Sequence, residues 1–343
     1  MAYTTINKST DYFNTKLYTG NGGTQSITGV GFQPDWTWLK RRNGVGSHRL
    51  FDAVRGATKE IFADADLAES TDAESLKSFD SDGFTLGTGG ATNGSGNTYA
   101  NWNWKANGVG SANTAGSINS TVSVNTTAGF SIVKWTGTGS ASTVGHGLGV
   151  APKMIIMKRT SGAVNDWVVY HASVGNNKAL FLNAVNAPDT DSAYFNDTSP
   201  TSLVFSVKSG QTNNNGDNQI AYCFAEKQGY SKFGSYTGNG NADGTFVYTG
   251  FKPAFVIIKR TNSTGNWLML DNKRAGYNQS NYWLEADTSD AEGTTANWID
   301  IFSNGFKLNL SGSAGNGDGN SYIYMAFAEA PLVGSNNVPC TAR

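Results

Sequence analysis

The sequence predicts an all-β chain: three tandem antiparallel β-sandwich modules, jelly-roll or lectin-like, each of about one hundred residues. Three observations carry this. A turn phrase recurs, as YTGNG at Tyr18–Gly22 and Tyr236–Gly240 and as WTGTG at Trp135–Gly139. Each copy is followed by a short apolar run framed by a proline and a lysine six positions on: Pro34 and Lys40, Pro152 and Lys158, Pro253 and Lys259. Finally, 42 glycines with only 15% charged residues suit short strands joined by tight turns and speak against long amphipathic helices.

The elements follow in order within each repeat. The runs between proline and lysine, rich in Ile, Val, Met and Trp, read as buried strands. Proline sits at the strand start, where a missing N–H costs least. A second strand is expected at HRLF, DWVV and NWLML, ending near Asp52, Tyr170 and Asp271. A turn and strand follow at FDSDGFTLG, SLVFSVKSG and FSNGFKLNL, then a Gly- and Asn-rich loop. The closing strands YANWNWKA, QIAYCFAE and YIYMAFAE alternate so that Trp102 and Trp104, Tyr222 and Phe224, and Met325 and Phe327 share one face and read as core. The expected modules span 1–107, 128–229 and 230–331, with a linker at 108–127 and an extension at 332–343. A helix is plausible only within Thr58–Phe79 of the first module.

The net charge of −1 gives no footprint for a nucleic-acid backbone. Two cysteines, Cys223 and Cys340, make no disulfide framework, and no CxxC metal motif is present. The N-terminal residues lack a conventional secretory signal, and no apolar window is long enough for a membrane-spanning helix. The expectation is a protein made in a cytoplasm, without cofactor, nucleic acid or membrane insertion.

No set of residues reads as catalytic. His48, His146 and His171 show no ligand spacing and are expected at the surface or in turns. Serines lie in polar turns without a nucleophile elbow. Asp80 with Asp82, and Asp287 with Asp290, sit where Asp bends the backbone rather than where paired carboxylates cleave a glycoside. GNGDGN at Gly315–Asn320 offers one carboxylate, Asp318, and reads as a hairpin turn rather than a calcium loop. The basic strand ends at Lys40, Lys158 and Lys259 are expected to be solvated.

Two candidate binding features remain. Asp52 with Arg55, and Asp271 with Arg274, recur at one position of the first and third modules, either as turn-bracing ion pairs or as a polar patch for a sugar. The loop containing Asn213, Asn214, Asn215 and Asp217, in the divergent second module, is the other candidate contact surface.

The phrases YFNTKLYTGNG, PDWTWLKRR, SHRLFDAVRG, SFDSDGFTLG and YANWNWKA, with YIYMAFAEAP and the closing VPCTAR, resemble a family of virion proteins from tailed bacteriophages of marine bacteria. The likeness covers nearly the whole chain and is weakest in the second module. It implies a structural protein on a phage virion, assembled in the host cytoplasm: a tail-fibre, spike or host-adhesion component, or a capsid decoration. A glycan depolymerase is a third alternative. The implied partners are other virion proteins or host surface glycans, and the implied assembly is a homo-oligomer such as a trimer.

Overall fold

In the computed structural model, which describes residues 2–208, 210–275, 278 and 280–340, strands dominate and the helical elements are single turns. Each repeat forms a lobe of two antiparallel sheets, one large and one small. The large sheet of the first lobe runs Phe13–Thr19, Thr98–Trp104, Trp36–Arg41, Arg49–Asp52, Lys59–Phe62, Ser70–Thr71 in spatial order. The third lobe repeats this with Ser231–Thr237, Ser321–Pro331, Phe251–Arg260, Trp267–Asp271 and Leu284–Glu285. In the second lobe the same series is Phe130–Thr136, Asn218–Phe224, Met154–Arg159, Val168–His171, Lys178–Phe181 and Asp189–Thr190, extended at one edge by Ser120–Asn125 and Ser111–Asn113. The small sheets pair Gln25–Thr28, Gly83–Leu86 and Leu76–Asp80; Ser142–Gly145 with Val204–Val207; and Phe246–Tyr248, Gly305–Leu308 and Ile299–Phe302.

Each small sheet covers one face of its large sheet over a private apolar cluster, such as Ile27, Phe51, Phe84 and Leu86 in the first lobe. The other faces of all three large sheets meet in one shared core. Trp36 lies 4.4 Å from Trp104 of its own lobe and 4.3 Å from Tyr222 of the second, centroid to centroid. Phe13 stacks on Phe327 of the third lobe, and Phe224 meets Phe327 edge to face. The alternating residues Trp102, Trp104, Tyr222, Phe224, Met325 and Phe327 are in this core, as expected. Truncating one such fully buried tryptophan costs about 3–5 kcal/mol. The lobes therefore stabilise one another and are not beads on a string.

Two expectations fail. The stretch 108–127 is not a plain linker: Ser120–Asn125 pairs with Phe130–Thr136, Val122 opposite Val133, because TVSVN alternates small apolar and hydroxyl residues as a sheet requires. The Thr58–Phe79 stretch is not helical. Lys59–Phe62 pairs with Arg49–Leu50, Ile61 and Ala63 enter the shared core, and the Asp72 carboxylate accepts from the Glu74 N–H in a turn. Of the extension at 332–343, residues 341–343 lie outside the described residues; Ser335 exchanges hydrogen bonds of 2.7 Å with Asn7, tying the two ends of the chain together.

Candidate functional site

The recurring turn phrase is a clasp. In each lobe one buried asparagine from the loop before the last strand (Asn93, Asn213 or Asn316) lies under the phrase. Its Oδ1 accepts from the N–H of Asn21, Thr138 or Asn239, at 3.0, 3.1 and 3.1 Å. Its Nδ2 donates onward, to Gly87 O, Ser140 O or Asn241 O. The two glycines of the phrase serve different needs. A Cβ at Gly20, Gly137 or Gly238 would lie within 2.4 Å of a backbone oxygen of the partner loop, whereas Gly22, Gly139 and Gly240 have φ of 75°, 75° and 67°.

Asn213 is therefore committed to the fold. Asn214 donates to Asp217 Oδ2 at 2.6 Å, and Asp217 also faces Arg159 at 3.6 Å. Of the four predicted residues of this loop, only Asn215 is exposed. The other predicted turns behave alike: Asp82 accepts from Gly29 and Gly31 N–H, Asp80 from Ser78 and Thr85, and Asp287 from Trp267 N–H.

The Asp and Arg pairs lie buried at seams between lobes. Asp52 Oδ2 accepts from Arg55 Nε at 2.5 Å and from the Tyr222 hydroxyl of the second lobe at 2.7 Å. Asp271 Oδ2 accepts from Arg274 Nε at 2.6 Å and from Trp102 Nε1 of the first lobe at 3.1 Å. Strand register corrects the sequence alignment by one residue, since Trp36, Met154 and Phe255 face Asp52, His171 and Asp271. His171, not Tyr170, thus holds the carboxylate's place, with Val174 in that of the arginine. Its Nε2 lies 3.3 Å from Tyr324 O of the third lobe. The lobe-crossing donors Trp102 and Tyr222 correspond to Met325, which has no proton to give a carboxylate.

The histidines are buried, contrary to expectation. His48 Nδ1 accepts from Trp38 Nε1 at 2.8 Å, and burial holds the ring well below its usual pKa. Burial likewise lowers His171 to about 4. The three lysines are buried as well, a second correction. Lys40 donates to Ser289 O at 2.9 Å, Lys158 to Asp66 O at 2.7 Å and Lys259 to Val185 O at 2.9 Å, each reaching into the neighbouring lobe. Their second acceptors are Gly46 O, Asn165 O and Gly265 O. Burial lowers each to about 8, so the ammonium persists at neutral pH. The contacts run cyclically, first lobe to third, second to first and third to second.

One seam is open. Between the first and second lobes lies a polar cleft of about 530 Å³, bordered by Arg55, Lys59, Glu69, Lys134, Thr160 and Asn218 among others. Of the residues singled out in the sequence, only Arg55 borders it. Lys59, Lys134 and Thr160 escaped notice because the cleft is made by two lobes and no single repeat displays it. Among the described residues no group of three or more His, Cys, Asp or Glu side chains could hold a metal ion, and no helix is long and apolar enough to cross a membrane.

No curated protein matches the chain. A family model described as a domain of unknown function, DUF7483, matches residues 8–331, which takes in all three lobes as one unit. The chain belongs to the DUF7483 family.

Proposed function

We propose that the chain is a non-enzymatic structural protein of a phage virion surface, acting as a tail appendage or host-adhesion component. The observation that carries this reading, beside the resemblance of its phrases to virion proteins, is where its polar chemistry goes. Buried carboxylates, arginines, lysines and histidines are consumed in joining three lobes into one block, as a durable particle component requires. Loops and the polar cleft between the first and second lobes are left for recognition. Mass spectrometry of purified particles and cell-binding by the recombinant protein test it. Absence from particles together with failure to bind host cells overturns it.

A capsid-decoration role is the second reading, favoured by the cyclic repetition of the lobes. Three similar faces on one chain suit a seat over a local threefold axis of a shell. Locating the chain in an electron-microscopy map of the particle separates the two. Glycan cleavage lost on replacing one Asp or Glu would favour a depolymerase over both.

A further inference from the structure

The three seams are built on one plan and differ at three corresponding positions. Between the third and first lobes, Glu292 N–H donates to Arg42 O, and the Glu292 carboxylate takes Arg42 at 2.8 Å and Arg274 at 2.9 Å. Glu292 is 6% exposed there. Between the first and second lobes the matching N–H to O bond runs from Glu69 to Thr160, and Arg55 Nη1 reaches Glu69 Oε2 at 3.2 Å. Thr160 stands where the other seam has Arg42, eight positions after its proline in each case. A guanidinium that fills the one seam is missing from the other, and Glu69 is 21% exposed. Between the second and third lobes the corresponding residues are Thr261, Pro188 and Val174, so none of these three positions carries a charge.

The space vacated by the arginine is the cleft. Its volume falls within the roughly 300–1,000 Å³ of small-molecule sites, and its walls are polar rather than apolar. Arg55, with its side chain 2% exposed, is fixed by Asp52 and Leu50 O and presents an Nη edge at the wall. Lys59 is held by Thr71 Oγ1 at 2.6 Å and lies 3.8 Å from Glu69 Oε1. Lys134 has no hydrogen-bond or ion-pair partner among the described residues, though it is partly buried. Arg55 answers Asp52 and Glu69, and Lys59 faces Glu69, so Lys134 brings to the wall a cation with no counter-charge paired to it among the described residues. Hydroxyls of Thr71, Thr160 and Ser161 and the amide of Asn218 complete the lining.

We infer that this cleft binds an anionic saccharide, one carrying a carboxylate or sulfate group. Lys134, an ammonium without a partner among the described residues, takes the charged group, with Lys59 on the same lining. The hydroxyls, the Asn218 amide and Glu69 take the sugar hydroxyls, because Glu69 accepts from them as it would from an arginine. An apolar ligand has no wall to bury against. The assignment deepens the adhesive reading above and rests on it only for the biological source of the sugar.

Calorimetric titration of the purified full chain tests this with four probes: a uronate-containing oligosaccharide, a sulfated one, a neutral one of equal length, and inorganic sulfate alone. At least one acidic saccharide is expected to bind, more tightly than the neutral sugar and than sulfate, with affinity falling as salt rises. Lys134→Gln should weaken binding roughly tenfold or more, the loss of one charge-assisted hydrogen bond. Thr160→Arg should abolish binding while leaving the thermal midpoint equal or higher, since it rebuilds the Arg42 arrangement. Equal binding of the neutral sugar, binding of sulfate as tight as that of the saccharide, binding untouched by both substitutions, or no binding of any probe would each overturn the assignment. Because the titration needs neither virion nor host, its outcome is independent of whether the chain is found on particles.

Discussion

Two seams of this molecule solve one problem in opposite ways. Where the third lobe meets the first, a carboxylate, Asp271, crosses to a donor, Trp102, and is braced by Arg274, itself tied to Glu292 and through it to Arg42. Where the second lobe meets the third, the same position holds His171, its arginine is Val174, and the residue across is Met325. A carboxylate facing a thioether would be buried without a proton to accept, whereas a neutral imidazole can face a backbone carbonyl, as His171 does toward Tyr324 O. The divergence of the second module is thus a matched change across a seam, and the electrostatic seam and the neutral one should fail differently.

The largest difference is expected on removing the carboxylate. Asp271→Ala leaves Arg274 buried beside an empty place and Trp102 Nε1 without an acceptor, and should cost about 3–5 kcal/mol in urea unfolding. His171→Asp, which writes the first seam's residue into the second without its donor or arginine, should cost a similar amount. If His171→Asp proved neutral, the pairing of this position with the residue across the seam would be wrong.

Acid should act on the neutral seam next. Burial lowers His171 from 6.5 to about 4, so the unfolded chain binds the proton more readily than the folded one. Stability from this group is fully present above pH 6.5 and is lost as pH falls toward 4, by on the order of 3 kcal/mol. His48 and His146, also lowered by burial, act in the same direction. Buried Asp35 and Asp64, raised by burial, act in the opposite sense as they are deprotonated. The His171→Gln variant isolates the imidazole: its loss of stability between pH 6.5 and 4 should be shallower than that of the parent protein. Equal slopes would place the acid response elsewhere.

The repeats were legible because turn chemistry is local. A glycine pair and a proline and lysine at fixed spacing state where a lobe starts, whatever packs on it. The shared core was not legible, since Trp102 and Trp104 alternate identically whether their face meets its own lobe or two others. Ser120–Asn125 was hidden by its Ser, Thr and Asn content, which suits an edge region of a sheet as well as a linker. The role of Asp52 and Asp271 was half visible, as a turn brace, while the donors that explain them, Tyr222 and Trp102, lie 170 and 169 residues away. The cleft depends on one threonine where a different lobe has arginine, a contrast with meaning only once the seams are aligned.

Within the second lobe, the loop expected to bind divides sharply. Asn213→Ala removes the clasp under Thr138 and leaves two part-buried backbone groups, Thr138 N–H and Ser140 O, without their partner, at about 2–3 kcal/mol. Asn215→Ala, at the exposed tip, should fall within about 0.5 kcal/mol. Equal effects would remove the distinction between clasp and tip.

Among the seam positions, the smallest effect at neutral pH is expected where all three seams agree. Lys158→Met replaces a buried ammonium by an apolar chain of similar length, and the desolvation relieved offsets much of what Asp66 O and Asn165 O lose, leaving about 1 kcal/mol. The alkaline range is more telling. Burial lowers Lys158 to about 8, against 10.5 in the unfolded chain, so between those values the unfolded state holds more protons. Stability from this group is therefore lowest below pH 8 and rises toward pH 10.5, by up to about 3 kcal/mol. Lys40 and Lys259 add rises of the same kind. Buried tyrosines such as Tyr222 and Tyr230, raised by burial, reverse the trend once the unfolded chain begins to ionise near pH 10. Urea unfolding from pH 8 to 10 should show the parent protein gaining stability faster than Lys158→Met. A parallel pair of curves would mean that the two carbonyls, Asp66 O and Asn165 O, hold the ammonium charged throughout this range.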